Sequence, residues 1–102
     1  MTDTQTMTLV RSSAEVATEL PQRYLTQLCK HFEHKLAVTY DGPAGEIVFS
    51  VGTCRLRAGS SVLTLSLEAP DAASLAQLQD VVARHLVRFA FREEMQIDWH
   101  AV

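Results

Sequence analysis

The amino-acid sequence predicts an α+β fold, a two-layer sandwich in which a mainly antiparallel sheet carries two helices on one face. Two stretches have apolar residues at helical spacing, and the segments around them alternate apolar and polar residues as strands do. Short turns join the central strand-like segments, which favours an antiparallel sheet because parallel neighbours need a crossover of about a dozen residues. The predicted order of elements is β-α-β-β-β-β-α-β.

The N-terminal part of the chain predicts a strand followed by the first helix. Thr8 to Ala17 has strand character, and the polar run Arg11-Ser12-Ser13 predicts an interruption in it. Thr18 is expected to cap the helix, which continues through apolar residues at helical spacing and ends near His34. Its apolar positions are Leu20, Tyr24, Leu25, Leu28 and Phe32. Its opposite face, which includes Arg23, is expected to be solvated.

After the first helix the pattern changes to period two and predicts four strands. The segments are Leu36–Tyr40, Glu46–Val51, Thr53–Ala58 and Val62–Ala69, with turns at Asp41–Gly45, Gly52 and Gly59–Ser61. Polar alternate positions predict that one sheet face meets water while the other meets the helices. Met95 to His100 alternates again and predicts a last strand, with Trp99 packed against the sheet or the central helix.

The longest periodic stretch, Ala69 to Phe91, predicts the central helix. Its apolar residues recur at spacings of three and four, which gathers them on one stripe at about 100° per residue. They are Leu75, Leu78, Val82, Leu86 and Phe89. Pro70 and Asp71 suit the helix start, because the Asp carboxylate can accept from amides of the first turn. Val87 and Phe91 fall off the stripe and indicate either a dimer contact or the place where the last strand docks.

Length and composition favour one small cytoplasmic domain, residues 7–102, after a flexible N-terminus at residues 1–6. No apolar run is long enough to span a membrane, and no secretory signal is evident. The net charge of −3 argues against general nucleic-acid binding, which depends on an excess of Lys and Arg. Cys29 and Cys54 lack C-x-x-C spacing and are expected to be buried, unbridged thiols. No motif calls for a cofactor.

Six basic and imidazole residues form the candidate binding site. They are His31, His34 and Lys35 on the first helix and His85, Arg88 and Arg92 on the central helix. Spacings of three and four place each trio on one flank, so helices packed side by side bring both flanks into one cleft. Guanidinium and ammonium groups suit carboxylate or phosphate oxygens, which predicts an anionic ligand.

Two alternatives stay open for these six residues. Two histidines three apart can chelate zinc or ferrous iron, although no H-E-x-x-H motif or regularly spaced carboxylate accompanies them. A purely structural role is the other alternative, in which the basic groups cap helix ends and pair with Glu93 and Glu94.

Four segments of the chain resemble a known bacterial family. They are RYLTQLCKHFEHK, GTC, VVARHLVRFAFREE and IDW, and they are similar to the family catalogued as domain of unknown function 2218 over about residues 9–99. That family has no established activity. Its members occur beside, or fused to, siderophore-interacting flavoproteins of ferric reduction, so the resemblance implies an accessory role in iron or siderophore use. A flavin-dependent ferric reductase is the partner it implies.

Residues 46–86 also resemble the C-terminal domain of phosphohexomutases, in which a turn binds sugar phosphate through Arg, Ser, Asn and Thr. The matching turn here keeps Arg57, Gly59, Ser60 and Ser61 but lacks the Asn-Thr-Glu-Pro portion. The resemblance implies a phosphate-binding turn, and a serine-rich hairpin tip is the alternative.

Taken together, these features favour a non-catalytic binding or accessory protein whose partner is a small anionic ligand or a flavin-dependent ferric reductase. A metal-dependent enzyme, or a thiol enzyme acting through Cys54, is one alternative. A dimeric protein–protein interaction module is another, and the sequence leaves the choice between monomer and homodimer open.

Overall fold

A computed structural model describes residues 9–102 of the protein, so the predicted flexible end at residues 1–6 lies outside the described residues. The elements are β1 (Val10–Ala17), α1 (Pro21–Phe32), β2 (Ala37–Asp41), β3 (Ala44–Phe49), β4 (Gly52–Ala58), β5 (Val62–Ala69), α2 (Ala72–Phe89) and β6 (His100–Ala101). Both helices pack on the same face of a six-stranded antiparallel sheet. The predicted fold class and the predicted order of elements are therefore confirmed.

The strands lie in the order β2-β3-β4-β5-β1-β6. β1 therefore does not lie beside β2, the next strand in sequence, and instead pairs with β5 along its whole length. The predicted interruption of β1 is wrong. Arg11, on the uncovered sheet face, pairs with Glu68 of β5 at 3.2 Å. Ser12, on the helix side, accepts a hydrogen bond from Gln79 of α2 at 2.9 Å. The polar residues have partners on other elements, so the strand continues through them.

The core lies between the helix layer and the covered sheet face. Alternate strand residues point into it, and each helix contributes one apolar stripe, as the periodicity predicted. Its largest fully buried side chains are Leu25, Leu28, Ile47, Leu63, Leu65, Leu67, Leu78, Leu86, Val16, Val82, Cys29 and Cys54. Cys29 faces Gly45 so closely that a Cβ atom there would lie 2.9 Å from its sulfur. This glycine therefore allows α1 to approach the sheet.

The starts of the two helices differ from each other. Asp71 caps α2 as predicted, because its carboxylate accepts from the Ser74 amide at 2.7 Å. The predicted cap of α1 is wrong. Leu20 occupies the N-cap position and offers no side-chain acceptor, while Thr18 lies two residues earlier and its hydroxyl accepts from the Leu20 amide at 3.1 Å. Thr18 is instead held by a partner from the far end of the chain, Glu93.

The predicted last strand at Met95 to His100 is largely wrong, since only His100 and Ala101 pair with β1. Met95, Ile97 and Trp99 nevertheless pack half-buried against the core, and the residues between them are exposed. An extended segment crossing the core produces the same alternation as a strand without making ladder hydrogen bonds. Trp99 packs as predicted. Neither helix among residues 9–102 has the length and apolarity needed to cross a membrane.

Candidate functional site

The two helices meet at a cluster of four rings, which we call the ring cluster: His31 and Phe32 of α1 with His85 and Phe89 of α2. The centroids of the two imidazoles lie 4.9 Å apart, and the Phe89 ring lies 5.5 Å from that of His31. His85 Nδ1 lies 2.7 Å from the Val81 carbonyl oxygen. Because a carbonyl oxygen can only accept, Nδ1 carries the hydrogen of that bond, which orients the His85 ring.

The helix flanks therefore converge at His31 and His85. Burial lowers the pKa of His31 first, followed by the charges of His85, Arg88, His34 and Lys35. These groups lie near enough to disfavour a further positive charge on the His31 ring. The lowered pKa favours the neutral form of His31.

Arg92, the sixth predicted residue, lies beyond the end of α2 and lines a cavity together with Phe89 of the ring cluster. The helix ends at Phe89, and Ala90 adopts the C-cap conformation, so the chain turns before Arg92. The guanidinium carbon of Arg92 lies 5.4 Å from the centroid of the Phe91 ring, within the range of a cation–π contact. The expectation that all six residues share one cleft stays a prediction.

Glu93 joins the end of α2 to the start of α1. The Thr18 hydroxyl lies 3.0 and 3.1 Å from the two carboxylate oxygens, and the Tyr24 hydroxyl donates to Oε2 at 2.6 Å. This hydrogen bond, together with burial and the Glu93 charge, raises the pKa of Tyr24. Both donors are buried, so the carboxylate has a fixed position.

A cavity of about 400 Å³ opens beside Glu93, and we call it the α2-end cavity. Its lining residues are Leu20, Arg23, Tyr24, Phe89, Phe91, Arg92 and Glu93. A second hollow of about 330 Å³ reaches Glu93 from the side of Thr18 and Ser61. Phe89 belongs to both the ring cluster and the cavity wall, so the two features are adjacent.

Arg23 was not among the predicted site residues, because its place on the polar face of the first helix indicated only solvation. Within residues 9–102, the carboxylates that form ion pairs do so with arginines other than Arg23. Arg55 pairs with Glu46 at 3.1 Å and Glu68 at 3.5 Å on the uncovered sheet face, and Arg84 pairs with Asp80 at 2.9 Å. Arg23, Arg57, Arg88 and Arg92 have no carboxylate within 4 Å in this part of the chain. Two of these four, Arg23 and Arg92, line the α2-end cavity.

The turn that resembles a phosphate-binding loop joins β4 to β5. The Gly59 amide donates to the Val62 carbonyl oxygen at 2.8 Å, and the Ser61 carbonyl oxygen accepts from the Thr18 amide at 3.1 Å. The Gly59 amide is therefore already engaged within the hairpin. Arg57 is exposed on the uncovered sheet face. Phosphate binding by Arg57, Gly59, Ser60 and Ser61 stays a prediction.

The residues that metal or thiol chemistry would use are the histidines and the two cysteines. Within residues 9–102, no group of three or more His, Cys, Asp or Glu side chains gathers as a metal site would need. Both cysteines are free and buried, as predicted. Burial raises the pKa of Cys29 to about 11 and raises that of Cys54 further. Neither thiol is therefore poised as a nucleophile at neutral pH.

The amino-acid sequence matches a family model over residues 13–100. The family is described as "Uncharacterized protein conserved in bacteria (DUF2218)". The chain belongs to this family of bacterial proteins of unknown function. It is similar to PA4090 from Pseudomonas aeruginosa, known from an NMR structure, with 41% identity and a TM-score of 0.77. The similarity covers 89% of this chain and 95% of that one. No curated protein matches the chain.

Proposed function

We propose that this domain is a non-catalytic binding protein that takes a small organic anion in the α2-end cavity. Arg23 and Arg92 hold the anionic group. The observation that carries the proposal is the position of these two guanidinium groups on the cavity wall, with no carboxylate of residues 9–102 within 4 Å. Guanidinium groups bind carboxylate and phosphate oxygens with paired hydrogen bonds, so an anion supplies what these arginines lack.

The remaining wall indicates that the anion carries an apolar part. Leu20 and Phe91 are 42% and 76% exposed, and Phe89 closes the side toward the ring cluster. Small-molecule sites are typically about 300–1,000 Å³ with mainly apolar walls and a few polar groups. The α2-end cavity, at about 400 Å³, falls in this range.

The proposal keeps the predicted ligand class and Arg92, and it adds Arg23. Of the other predicted residues, His31 contacts Phe89 of the cavity wall, and Lys35 and Arg88 lie near His31 and supply positive potential rather than direct contacts. His34 and His85 also lie near His31 and have no direct role in this proposal. A basic surface next to a cavity raises the local concentration of anions and speeds their association.

The family resemblance suggests a physiological setting for this binding. If the domain serves iron or siderophore use, its anion is an iron chelator such as citrate or a ferric siderophore. An aromatic siderophore combines negative charge with flat apolar surface, which suits a cavity lined by two phenylalanines and two arginines.

Isothermal titration calorimetry with 3-phenylpropionate, citrate, inorganic phosphate and a ferric siderophore tests the proposal. We expect at least one organic anion to bind wild-type protein, and Arg23→Ala with Arg92→Ala to weaken that binding at least tenfold. The matched control is Arg84→Ala, which removes an α2 arginine already paired with Asp80 and should leave affinity unchanged. Equal affinity in the double variant, or no binding of any anion, would contradict the proposal.

A second candidate function rests on the exposure of two apolar residues. Val87 and Phe91 are 50% and 76% exposed, and the segment leading to β6 does not cover them. We propose as this alternative that they dock a protein partner, either a second copy or a flavin-dependent ferric reductase. Sedimentation of wild-type protein and Phe91→Ser, alone and mixed with such a reductase, tests it; a monomer that binds no reductase contradicts it.

A further inference from the structure

We infer that the α2-end cavity is built for a zwitterion, an α-amino acid with an aromatic side chain. This inference rests on the proposed function and names the class of its ligand. Its basis is that the wall presents charges of both signs that do not neutralise each other. Arg23 and Arg92 are basic, Glu93 is acidic, and no ion pair within 4 Å joins them.

Glu93 retains unused capacity to accept hydrogen bonds. A carboxylate offers about four lone-pair positions. Thr18 and Tyr24 each have one hydroxyl hydrogen to donate, so at least one position is left for a ligand. Both donors are neutral, and no Lys, Arg or His of residues 9–102 lies within 4 Å to balance the charge of this half-buried carboxylate.

An ammonium group suits the remaining acceptor positions of Glu93. It carries three donors and a positive charge, and a charge-assisted hydrogen bond to a carboxylate is about twice as strong as a neutral one. Arg23, Arg92 and Glu93 line the same cavity, so a ligand whose carboxylate binds the two arginines could direct its α-ammonium group toward Glu93.

Ligands with only one charge fit less well. A simple anion on the arginines leaves the Glu93 carboxylate facing it, which is repulsive. A simple amine on Glu93 faces two guanidinium groups. Only a zwitterion meets both signs of charge, and an aromatic side chain would then lie against Leu20, Phe89 and Phe91.

Three ligands that differ by one group test the inference: phenylalanine, 3-phenylpropionate, which lacks the ammonium group, and phenethylamine, which lacks the carboxylate. Titration calorimetry at neutral pH should show phenylalanine binding at least fivefold more tightly than either of the others. Glu93→Gln should abolish its advantage over 3-phenylpropionate, whereas the neighbouring Glu94→Gln, which does not line the cavity, should retain it.

The outcomes separate the two proposals. If 3-phenylpropionate binds through the arginines and phenylalanine binds no more tightly, the zwitterion inference is wrong and anion binding stands. If no ligand of the three binds and the anions above also fail, both are wrong. The comparison of ligands on wild-type protein needs no variant, so it decides the matter even if Glu93→Gln unfolds the domain.

Discussion

At the scale of single residues, Glu93 fixes the geometry of the proposed site. It is bound by Thr18 before α1 and by Tyr24 within α1, and it follows directly after Arg92. The carboxylate therefore holds the chain beyond α2 against the start of α1. The cavity wall depends on these two contacts, which join Glu93 to Thr18 and Tyr24, 75 and 69 positions earlier in the sequence.

Removing one hydroxyl tests that role. Tyr24→Phe deletes the 2.6 Å hydrogen bond to Glu93 without changing the buried ring. Hydrogen bonds to charged groups contribute about 1.5–3 kcal/mol, so we expect a loss of about that size in the free energy of unfolding. Tyr40→Phe is the control, because none of the side-chain hydrogen bonds within residues 9–102 involves the Tyr40 hydroxyl. Urea denaturation measures the free energy of unfolding of both variants. A Tyr24→Phe protein as stable as the wild type would contradict the role assigned to this hydrogen bond.

Replacing Gln27 is expected to stabilise the protein, unlike the removal of the Tyr24 hydroxyl. Its Oε1 is buried without a hydrogen-bond partner in residues 9–102. An unsatisfied buried polar group costs about 1–3 kcal/mol, whereas methionine has similar length and no such requirement. Gln27→Met is therefore expected to raise the melting temperature of the ligand-free protein. A clear fall would show that Oε1 has a stabilising partner.

His31 should make stability depend on pH. Its folded pKa lies below the usual value of 6.5, so the unfolded chain takes up the proton first as pH falls. The stability associated with neutral His31 is fully present above the unfolded pKa and is lost as pH falls through the folded pKa. Denaturation midpoints at several pH values from 7.5 to about 5 should fall less for His31→Gln than for His100→Gln, an exposed control on β6. An NMR titration placing the His31 pKa above 6.5 would oppose this account.

At the scale of elements, the sequence pattern correctly predicted the features that depend on residues close together in the chain. The α2 stripe follows from spacing along one helix, and the Asp71 cap involves an amide only three residues away. The predictions for β1 and Thr18 failed because their partners are distant in sequence. Arg11 is satisfied by Glu68 across the sheet, and Thr18 by Glu93.

The candidate site shows the same division. Helical spacing correctly placed His31 and His85 on facing flanks, which meet with ring centroids 4.9 Å apart. It extended the central helix to Phe91, whereas α2 stops at Phe89 and Arg92 lies beyond its end, because nothing local indicated that stop. Arg23 was missed because an exposed arginine on a polar helix face has no distinguishing pattern until the end of α2 packs beside it.

The extended segment after α2 offers a test at the same scale. Trp99 packs against the core although it lies outside any strand, and it is half-buried. Trp99→Ala should therefore lower the free energy of unfolding by about 3 kcal/mol, the lower end of the range for truncating large aromatic residues. Fluorescence of the folded wild type should be shifted to shorter wavelength than free tryptophan. Emission matching free tryptophan would show that this segment does not pack.

At the scale of the whole molecule, charge is distributed unevenly. The chain has a net charge of −3, yet Arg23 and Arg92 line one cavity, and neither has a carboxylate within 4 Å among residues 9–102. On the uncovered sheet face, by contrast, Arg55 is neutralised by two glutamates. An acidic protein that places two unpaired arginines on one cavity wall is suited to bind an anion there.

Chemical-shift mapping tests the central claim most directly. A ¹H–¹⁵N NMR titration of wild-type protein with 3-phenylpropionate locates the ligand without any substitution. Binding in the α2-end cavity predicts saturable shifts that are largest at Leu20, Arg23, Phe91, Arg92 and Glu93. Shifts confined to the turn from Arg57 to Ser61, or no saturable shifts at all, would contradict it.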